Sequence, residues 1–286
     1  MTHARTHTVT TATVPVEAGE FFCESAGEGP PVVLLHGSML DLTMWNEQFL
    51  WLVGLGYGVI RHDARGHGRS STVAGDYANH DDLHALLTHL DVPCATLVGL
   101  SLGVRTAVDT AMAHPESVSA PLVLAPPGVS GRPLRRPLRR VPHHTARQMA
   151  AMGDPDGGAQ RFVEHFLRMW VDGPYREPSQ VIRTLRERMR ASTSANVIRH
   201  ARGLGAGVPR EAGAADRLAS IGIPTLVLDG ALDSTDISSN AQAIAQTVPD
   251  SRRQRCASAA HMVNLASTAP FNLAVKSFPG SMLDRN

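Results

Sequence analysis

The sequence carries a serine between two glycines in a setting that suits nucleophilic chemistry. Ser101 is the centre of Gly99-Leu100-Ser101-Leu102-Gly103. A short apolar run precedes this motif and a helical pattern follows it, which predicts a sharp strand-to-helix turn with the serine hydroxyl at the N-terminus of the helix. Glycines suit so tight a turn because they carry no side chain. Ser101 is therefore the candidate nucleophile of an acyl-transfer reaction.

Such a serine needs a base, and the base needs an acid to orient it. After a serine on a strand-to-helix turn, the acid is expected next along the chain, in a loop just past a late strand. Asp233 meets this requirement because it follows the strand-like run 224–228. Asp229 still belongs to the strand end, and Asp236 suits a helix cap, so both are weaker alternatives.

The base is predicted from its position in the chain. Among 14 histidines, His261 alone lies between the last predicted strand and a C-terminal helical pattern, where the base is expected. Most of the other histidines are interpreted as surface residues or as hydrogen-bonded core residues.

An oxyanion hole is predicted at the end of the strand-like run 31–35. His36-Gly37-Ser38 follows that run, and we expect the backbone N–H groups of Ser38 and Leu102 to stabilise the oxyanion. His36 is interpreted as a brace for the turn. The glycine-rich and charged segment 63–70, which contains His67, is interpreted as a structural loop beside the site.

Strand-like and helix-like segments alternate along most of the chain, which predicts a mostly parallel sheet with helices packed against it. Each strand-like run is short, apolar and bounded by Gly, Pro or Asp. The runs are residues 31–35, 57–60, 95–98, 120–124, 224–228 and, less apolar, 253–257.

This alternation stops between about residues 126 and 221, where an inserted helical cap is predicted. The α/β core is accordingly expected over residues 14–125 and 222–286, with a flexible N-terminus over residues 1–13. Two apolar stripes at helical spacing run along the cap. One comprises Phe162, Val163, Phe166, Leu167 and Trp170, and the other Val181, Ile182, Leu185 and Met189. The basic segment 131–140 is interpreted as a solvated surface.

Composition excludes several other classes of protein. The 286 residues are 43% hydrophobic, with 27 basic against 26 acidic side chains, so there is ample core and no overall charge to attract nucleic acid. Three widely spaced cysteines predict neither a disulfide framework nor a zinc site. No run of 18 apolar residues and no signal peptide is found. The expected protein is cytoplasmic, without membrane insertion, and its oligomeric state stays open.

Taken together, LLHG at 34–37, DARGHGRS at 63–70, GLSLG at 99–103, PTLVLDGALD at 224–233 and AAHMVNL at 259–265 resemble the α/β-hydrolase superfamily. The resemblance runs from about residue 14 to residue 278, except for the cap. HGSMLDLTMW at 36–45 is similar to small esterases, cofactor-free haloperoxidases and enol-lactonases. Two departures are Ala260 before the histidine, where many relatives have Gly, and Ser234-Thr235-Asp236, where many carry Thr-Pro.

The resemblance implies an eight-stranded sheet and a serine esterase or lactonase acting on a small, mainly apolar acyl substrate without metal or organic cofactor. Met39, Trp45 and Met262 are the candidate substrate-binding residues, because they adjoin the motifs. Other chemistry on the same triad, such as carbon–carbon hydrolysis, perhydrolysis or acyl transfer, stays open. So does a receptor with little turnover.

Overall fold

The computed structural model describes residues 8–17, 19–72, 75–129, 147–148, 150–151, 154, 156–201 and 209–278. Within these residues, eight β-strands form a single sheet. The strands are β1 (Thr10–Val16), β2 (Gly19–Ala26), β3 (Pro31–Leu35), β4 (Gly58–His62), β5 (Ala95–Ser101), β6 (Val118–Pro127), β7 (Thr225–Gly230) and β8 (Ser251–Cys256).

The strand order is β1-β2-β4-β3-β5-β6-β7-β8. β1 pairs antiparallel with β2, and β2 pairs antiparallel with β4. From β4 to β8 every pairing is parallel. The predicted α/β class with a mostly parallel eight-stranded sheet is therefore confirmed. Parallel strands end at the same edge of the sheet, so the loops after β3, β5, β7 and β8 come together there.

Helices connect the parallel strands, and two further helices follow β8. The helices are α1 (Asn46–Gly54), α2 (Asn79–His89), α3 (Leu102–Ala113), α4 (Gly158–Phe166), α5 (Arg183–Ala201), α6 (Thr235–Thr247), α7 (Val263–Ala266) and α8 (Thr268–Ser277). A 3₁₀ turn, Leu42–Trp45, leads into α1, and a π-helical turn, Leu167–Asp172, continues α4. Among the described residues, no helix combines the length and the apolar run that a bilayer crossing would need.

The core lies on both faces of the sheet, as the buried parallel strands require. Side chains of β3 alternate between two clusters: Val32 and Leu34 join one, and Val33 and Leu35 join the other. The first cluster also contains apolar residues of α1, α4 and α8, and the second contains those of α2, α3 and α6. The sheet is therefore rigidly packed from both sides, and its edge can hold side chains in fixed positions.

The N-terminal boundary of the core differs from the expectation. Thr10 to Thr13, expected in a flexible terminus, belong to β1, where Thr10 lies opposite Ser25 and Thr13 opposite Phe22. Backbone hydrogen bonds to β2 hold this polar segment at the edge of the sheet. Burial of its side chains contributes little to holding it there, because Thr10 to Thr13 are exposed or half-buried. Among the described residues, the core therefore begins at Thr10.

Between β6 and β7, residues 156–201 are mostly helical, with short turns between the helices. Residues 156–201 are called the helical segment. Phe162, Val163, Phe166 and Leu167 of the first predicted stripe are buried. In the second stripe Val181, Leu185 and Met189 are buried, whereas Ile182 is 63% exposed. The basic segment 131–140 lies outside the described residues.

Candidate active site

Ser101 lies at the turn between β5 and α3. Its backbone has φ 55° and ψ −102°, a region that side-chain-bearing residues rarely adopt. The turn is crowded: a Cβ on Gly99 would lie 2.5 Å from the Gly103 carbonyl, and one on Gly103 would lie 2.1 Å from the Leu35 carbonyl oxygen. Only glycine fits at either position. The strand-to-helix turn that the sequence predicts is thus present, with Ser101 at its apex.

His261 and Asp233 meet at the carboxyl edge of the sheet. The Nδ1 atom of His261 lies 2.7 Å from Asp233 Oδ2, and both residues are buried. Asp233 follows β7 and also accepts a hydrogen bond from the Ser234 backbone N–H through Oδ1 at 2.7 Å. Because a carboxylate accepts a proton-bearing Nδ1, this contact leaves Nε2 free to act as a base.

The two alternative acids have other partners. Asp229 is fully buried on β7 and forms an ion pair with Arg253, whose Nη2 lies 2.7 Å from Oδ2. Asp236 lies in the first turn of α6, where Ser234 is the N-cap. Asp233 is the one of the three whose carboxylate contacts His261 among the described contacts.

The predicted oxyanion groups lie beside Ser101. Ser38 lines the same cavity as Ser101. Leu102 is the first residue of α3, so its N–H has no acceptor within the helix. A Cβ on Gly37 would lie 2.9 Å from a Leu100 methyl carbon, so a larger residue before Ser38 would require the Leu100 side chain to shift.

Two histidine rings shape the loop after β3. His36 Nε2 accepts a hydrogen bond from the Ala64 N–H at 2.8 Å, and its Nδ1 lies 2.8 Å from the Gly37 carbonyl oxygen. His67 Nε2 accepts from the Met39 N–H at 3.1 Å, where Met39 has a positive φ of 61°. Each ring therefore accepts at Nε2 and holds a backbone group. This matches the interpretation of His36 as a brace and of segment 63–70 as structural.

Asp63 ties the same loop to the segment after β4. Its carboxylate accepts from the Leu42 N–H and from the Arg69 N–H, each at 2.8 Å. Burial raises the pKa of the Asp63 carboxyl, while His36 and the two N–H donors act in the opposite direction. The carboxylate thus fixes two loops relative to each other. The sequence predicts only that segment 63–70 is a structural loop. It does not indicate that the Asp63 carboxylate connects this loop to the one after β3.

A cavity of about 320 Å³ opens beside Ser101 and His261. Its walls are mostly apolar. The lining residues are Gly37, Ser38, Met39, Leu40, Leu100, Ser101, Gln148, Phe162, Phe166, Trp170, His261 and Met262. Two of the candidate substrate-binding residues, Met39 and Met262, line this cavity. The third, Trp45, does not: it is fully buried in the core, with its ring 6.1 Å from that of Phe271.

The helical segment supplies one wall of the cavity. Phe162 and Phe166 project from α4, and Trp170 from the π-helical turn, with its ring 4.6 Å from that of His261. The sequence predicts an apolar stripe through these three residues without indicating which surface it covers. Gln148 was not singled out at all, because a lone glutamine carries no motif.

One group of possible metal ligands occurs in the part of the chain that the structure describes. It comprises His84, His114 and Glu116, whose ligand atoms lie within 4.8 Å of one another. His84 Nδ1 already lies 2.7 Å from Ser117 Oγ, and His114 Nε2 lies 2.8 Å from Asp81 Oδ1. Protein partners account for both rings, and none of these residues lines the cavity at Ser101.

Known proteins resemble most of this chain. Residues 32–272 match the family described as "Alpha/beta hydrolase family". The chain is 26% identical over 251 residues to 3-oxoadipate enol-lactonase 2 of Acinetobacter baylyi, covering 86% of this chain and 87% of that protein. The solved structure of Est816, described as an N-acyl homoserine lactone degrading enzyme, matches with a TM-score of 0.73 and 26% identity over 93% of this chain and 100% of that chain.

A shorter stretch is more similar to a different relative. Over 88 residues the chain is 42% identical to a putative non-heme chloroperoxidase of Synechocystis sp.. This match covers 29% of the chain and spans about a third, 32%, of that relative's length.

Proposed function

The chain belongs to the α/β-hydrolase family, and from this premise we propose that it is a serine hydrolase that cleaves a carboxylic ester or lactone through an acyl-enzyme. The observation that carries the proposal is the cavity at the sheet edge, which Ser101 and His261 both line. Asp233 holds the far side of the His261 ring at 2.7 Å. An enol-lactonase and a lactone-degrading enzyme among the similar proteins support acyl oxygen cleavage.

In the first half-reaction, His261 Nε2 takes the hydroxyl proton as Ser101 Oγ attacks the acyl carbon of the substrate. The carbonyl oxygen becomes an oxyanion, and the backbone N–H groups of Ser38 and Leu102 donate hydrogen bonds to it. The intermediate then collapses. His261 gives the proton to the departing alkoxide, and the acyl group stays on Ser101 as an ester.

Water completes the cycle. His261 takes a proton from a water molecule as that water attacks the acyl-enzyme, and the second oxyanion uses the same N–H groups. Collapse returns the proton to Ser101 Oγ and releases the carboxylic acid. A lactone follows the same steps, except that its alkoxide remains attached to the released acid. The apolar walls at Met39, Phe162 and Phe166 favour a small, mainly apolar acyl group.

The test combines covalent labelling with kinetics. Wild type, Ser101→Ala and His261→Ala are incubated with a fluorophosphonate probe, and intact mass and peptide mapping locate any adduct. Hydrolysis of p-nitrophenyl butyrate and of five- and six-membered lactones is then measured. We expect one adduct, on Ser101, which requires His261, and a loss of ~10⁴-fold or more in kcat for Ser101→Ala.

Ser258→Ala is the matched control, because Ser258 is exposed and bonds Ser267 rather than the cavity. It should label and turn over like wild type. A folded wild-type protein without adduct and without turnover would contradict the proposal and would favour a ligand-binding role for the cavity.

A further inference from the structure

The cavity contains one feature that apolar acyl binding does not explain. Its walls are formed by apolar side chains from the core and from the helical segment, with the catalytic groups at one side. Gln148 also lines it and is only 6% exposed. A primary amide is an unusual choice for such a wall, because burying a polar group without a partner is unfavourable.

The amide of Gln148 is incompletely hydrogen-bonded. Its Nε2 is buried and has no hydrogen-bond partner in the part of the chain that the structure describes. Buried donors are paired in the great majority of cases, so each exception calls for an explanation. Other buried atoms without a partner belong to Trp45, His62, Thr193 and Asn264. None of those residues lines the cavity at Ser101.

We infer that Gln148 is a specificity-determining residue whose Nε2 donates a hydrogen bond to a second oxygen of the substrate, apart from the scissile carbonyl. The substrate class is an ester or lactone that also carries a ketone, amide or ether oxygen within its mainly apolar frame. This inference rests on the proposed function. The catalytic serine and the oxyanion groups serve the scissile carbonyl in the proposed reaction. The Gln148 side chain lies at the cavity wall with Nε2 itself enclosed, so rotation of the side chain brings this donor to the other oxygen.

Selectivity follows from the unpaired donor. A purely hydrocarbon acyl chain would bury Nε2 against methylene groups and leave it unsatisfied, whereas an oxygen at the right depth would pair with it. One neutral hydrogen bond of this kind changes kcat/KM by about five- to tenfold. The preference should depend on the position of the oxygen along the chain, because the Gln148 side chain reaches only one part of the wall.

The experiment compares pairs of p-nitrophenyl esters that have equal chain length. Plain pentanoate, hexanoate and heptanoate are each paired with esters that carry a ketone at successive positions of the chain. For wild type we expect one ketone position to raise kcat/KM about five- to tenfold over the plain ester. In Gln148→Met, which keeps the length but removes the amide, this ratio should fall to about one.

Two further variants separate recognition from structure. Gln148→Glu replaces the donor by an acceptor and should turn the preference against the ketone and toward a hydroxyl at the same position. Gln160→Met is the matched control, because Gln160 is an exposed residue of α4, and it should keep the wild-type ratio.

The failures of the two proposals can be told apart. If plain esters are hydrolysed through Ser101 and no ketone position is preferred by wild type, the role of Gln148 is refuted and the hydrolase remains. The same holds if the preference survives in Gln148→Met. If neither kind of ester reacts and Ser101 takes no probe, the hydrolase proposal fails and the inference about Gln148 falls with it.

Discussion

Three aspartates lie near the end of β7 and the start of α6, and their contacts distinguish them. Asp233 lies 2.7 Å from His261, Asp229 pairs with Arg253, and Asp236 belongs to the first turn of α6. In the proposed mechanism Asp233 acts on the His261 ring. A carboxylate at Nδ1 selects the tautomer that leaves Nε2 without a proton, and it stabilises the imidazolium when that forms.

Replacing Asp233 by Asn should therefore lower kcat by about 10³- to 10⁴-fold while the fold is kept, because an amide can donate to Nδ1 and so favour the wrong tautomer. Asp236→Asn is the matched control, and its kcat on p-nitrophenyl butyrate should stay within about threefold of wild type. Equal losses in the two variants, measured on proteins with the same far-UV spectrum, would remove Asp233 from its proposed role.

The sequence indicates the cavity residues that belong to motifs with a known order along the chain. It does not indicate the cavity residues that lie outside such motifs. Ser101 ends a strand, and Asp233 and His261 each follow a later one. Local sequence records this order. Trp170 and Gln148 reach the cavity from outside the strand-helix alternation. Their positions depend on how the chain between β6 and β7 packs against the sheet. A local sequence pattern does not predict that packing.

Among the elements, the helical segment is held together around a buried carboxylate. The side chain of Asp172, fully buried, lies 3.0 Å from Arg168 Nη1 and 2.8 Å from Arg186 Nε. Arg176 Nε also donates to the Asp172 backbone carbonyl at 2.6 Å. This one carboxylate therefore connects the π-helical turn, which carries Trp170, to α5.

Asp172→Ala should destabilise the protein by ~3 kcal/mol, since the largely buried guanidinium groups of Arg168 and Arg186 lose their nearest carboxylate. They keep only the more distant Glu177, at 3.9 Å, and Glu164, at 3.6 Å. Urea unfolding followed by far-UV circular dichroism measures the change. Asp154→Ala is the control: it breaks an ion pair with Arg161 in which both side chains are nearly half exposed, worth ~1 kcal/mol or less. Similar urea midpoints for the two variants would contradict the expectation that the buried ion pairs of Asp172 contribute more stability than the exposed ion pair of Asp154.

Sequence patterns predict some strands of this sheet and miss others. The buried parallel strands β3 to β7 appear as apolar runs, because both of their faces contact the core. β1 and β2 were not predicted. β1 is TTATVPV, in which Val14 is buried and most other side chains are exposed or half-buried. Backbone pairing with β2 stabilises this strand, although few of its side chains are buried. A short stretch of sequence does not show which strand will be its partner.

For the molecule as a whole, one buried histidine links stability to pH. His62 ends β4, its ring lies 5.5 Å from that of Phe21, and its Nδ1 has no partner among the described residues. Burial, with His36 adding to it, lowers the pKa of His62 from 6.5 to about 3. The folded protein therefore keeps this ring neutral at pH values where the unfolded chain protonates it.

Stability should fall as the pH drops from about 6.5 toward 3, because the unfolded state binds the proton that the folded state refuses. The contribution of His62 is ~1.4 kcal/mol per pH unit in that window and vanishes above it. His62→Gln cannot titrate. Its free energy of unfolding, from urea titrations at pH 7, 6, 5 and 4, should decline less steeply than that of wild type.

The control is His89→Gln, an exposed position at the end of α2, which should keep the wild-type slope. Burial raises the pKa of Asp63 and of Asp82, and these carboxyls act in the opposite sense on acidification. They are present in all three proteins, so the difference in slope isolates His62. Parallel pH curves for wild type and His62→Gln would contradict the expectation.

The backbone at Ser101 also bears on the stability of the chain. Its angles, φ 55° and ψ −102°, cost a residue with a side chain about 1–3 kcal/mol of folding free energy. Glycine at this position would relieve that cost, because it carries no side chain. The chain therefore folds with a conformational penalty at position 101, and the proposed nucleophilic role of the Ser101 hydroxyl offers a reason for that penalty.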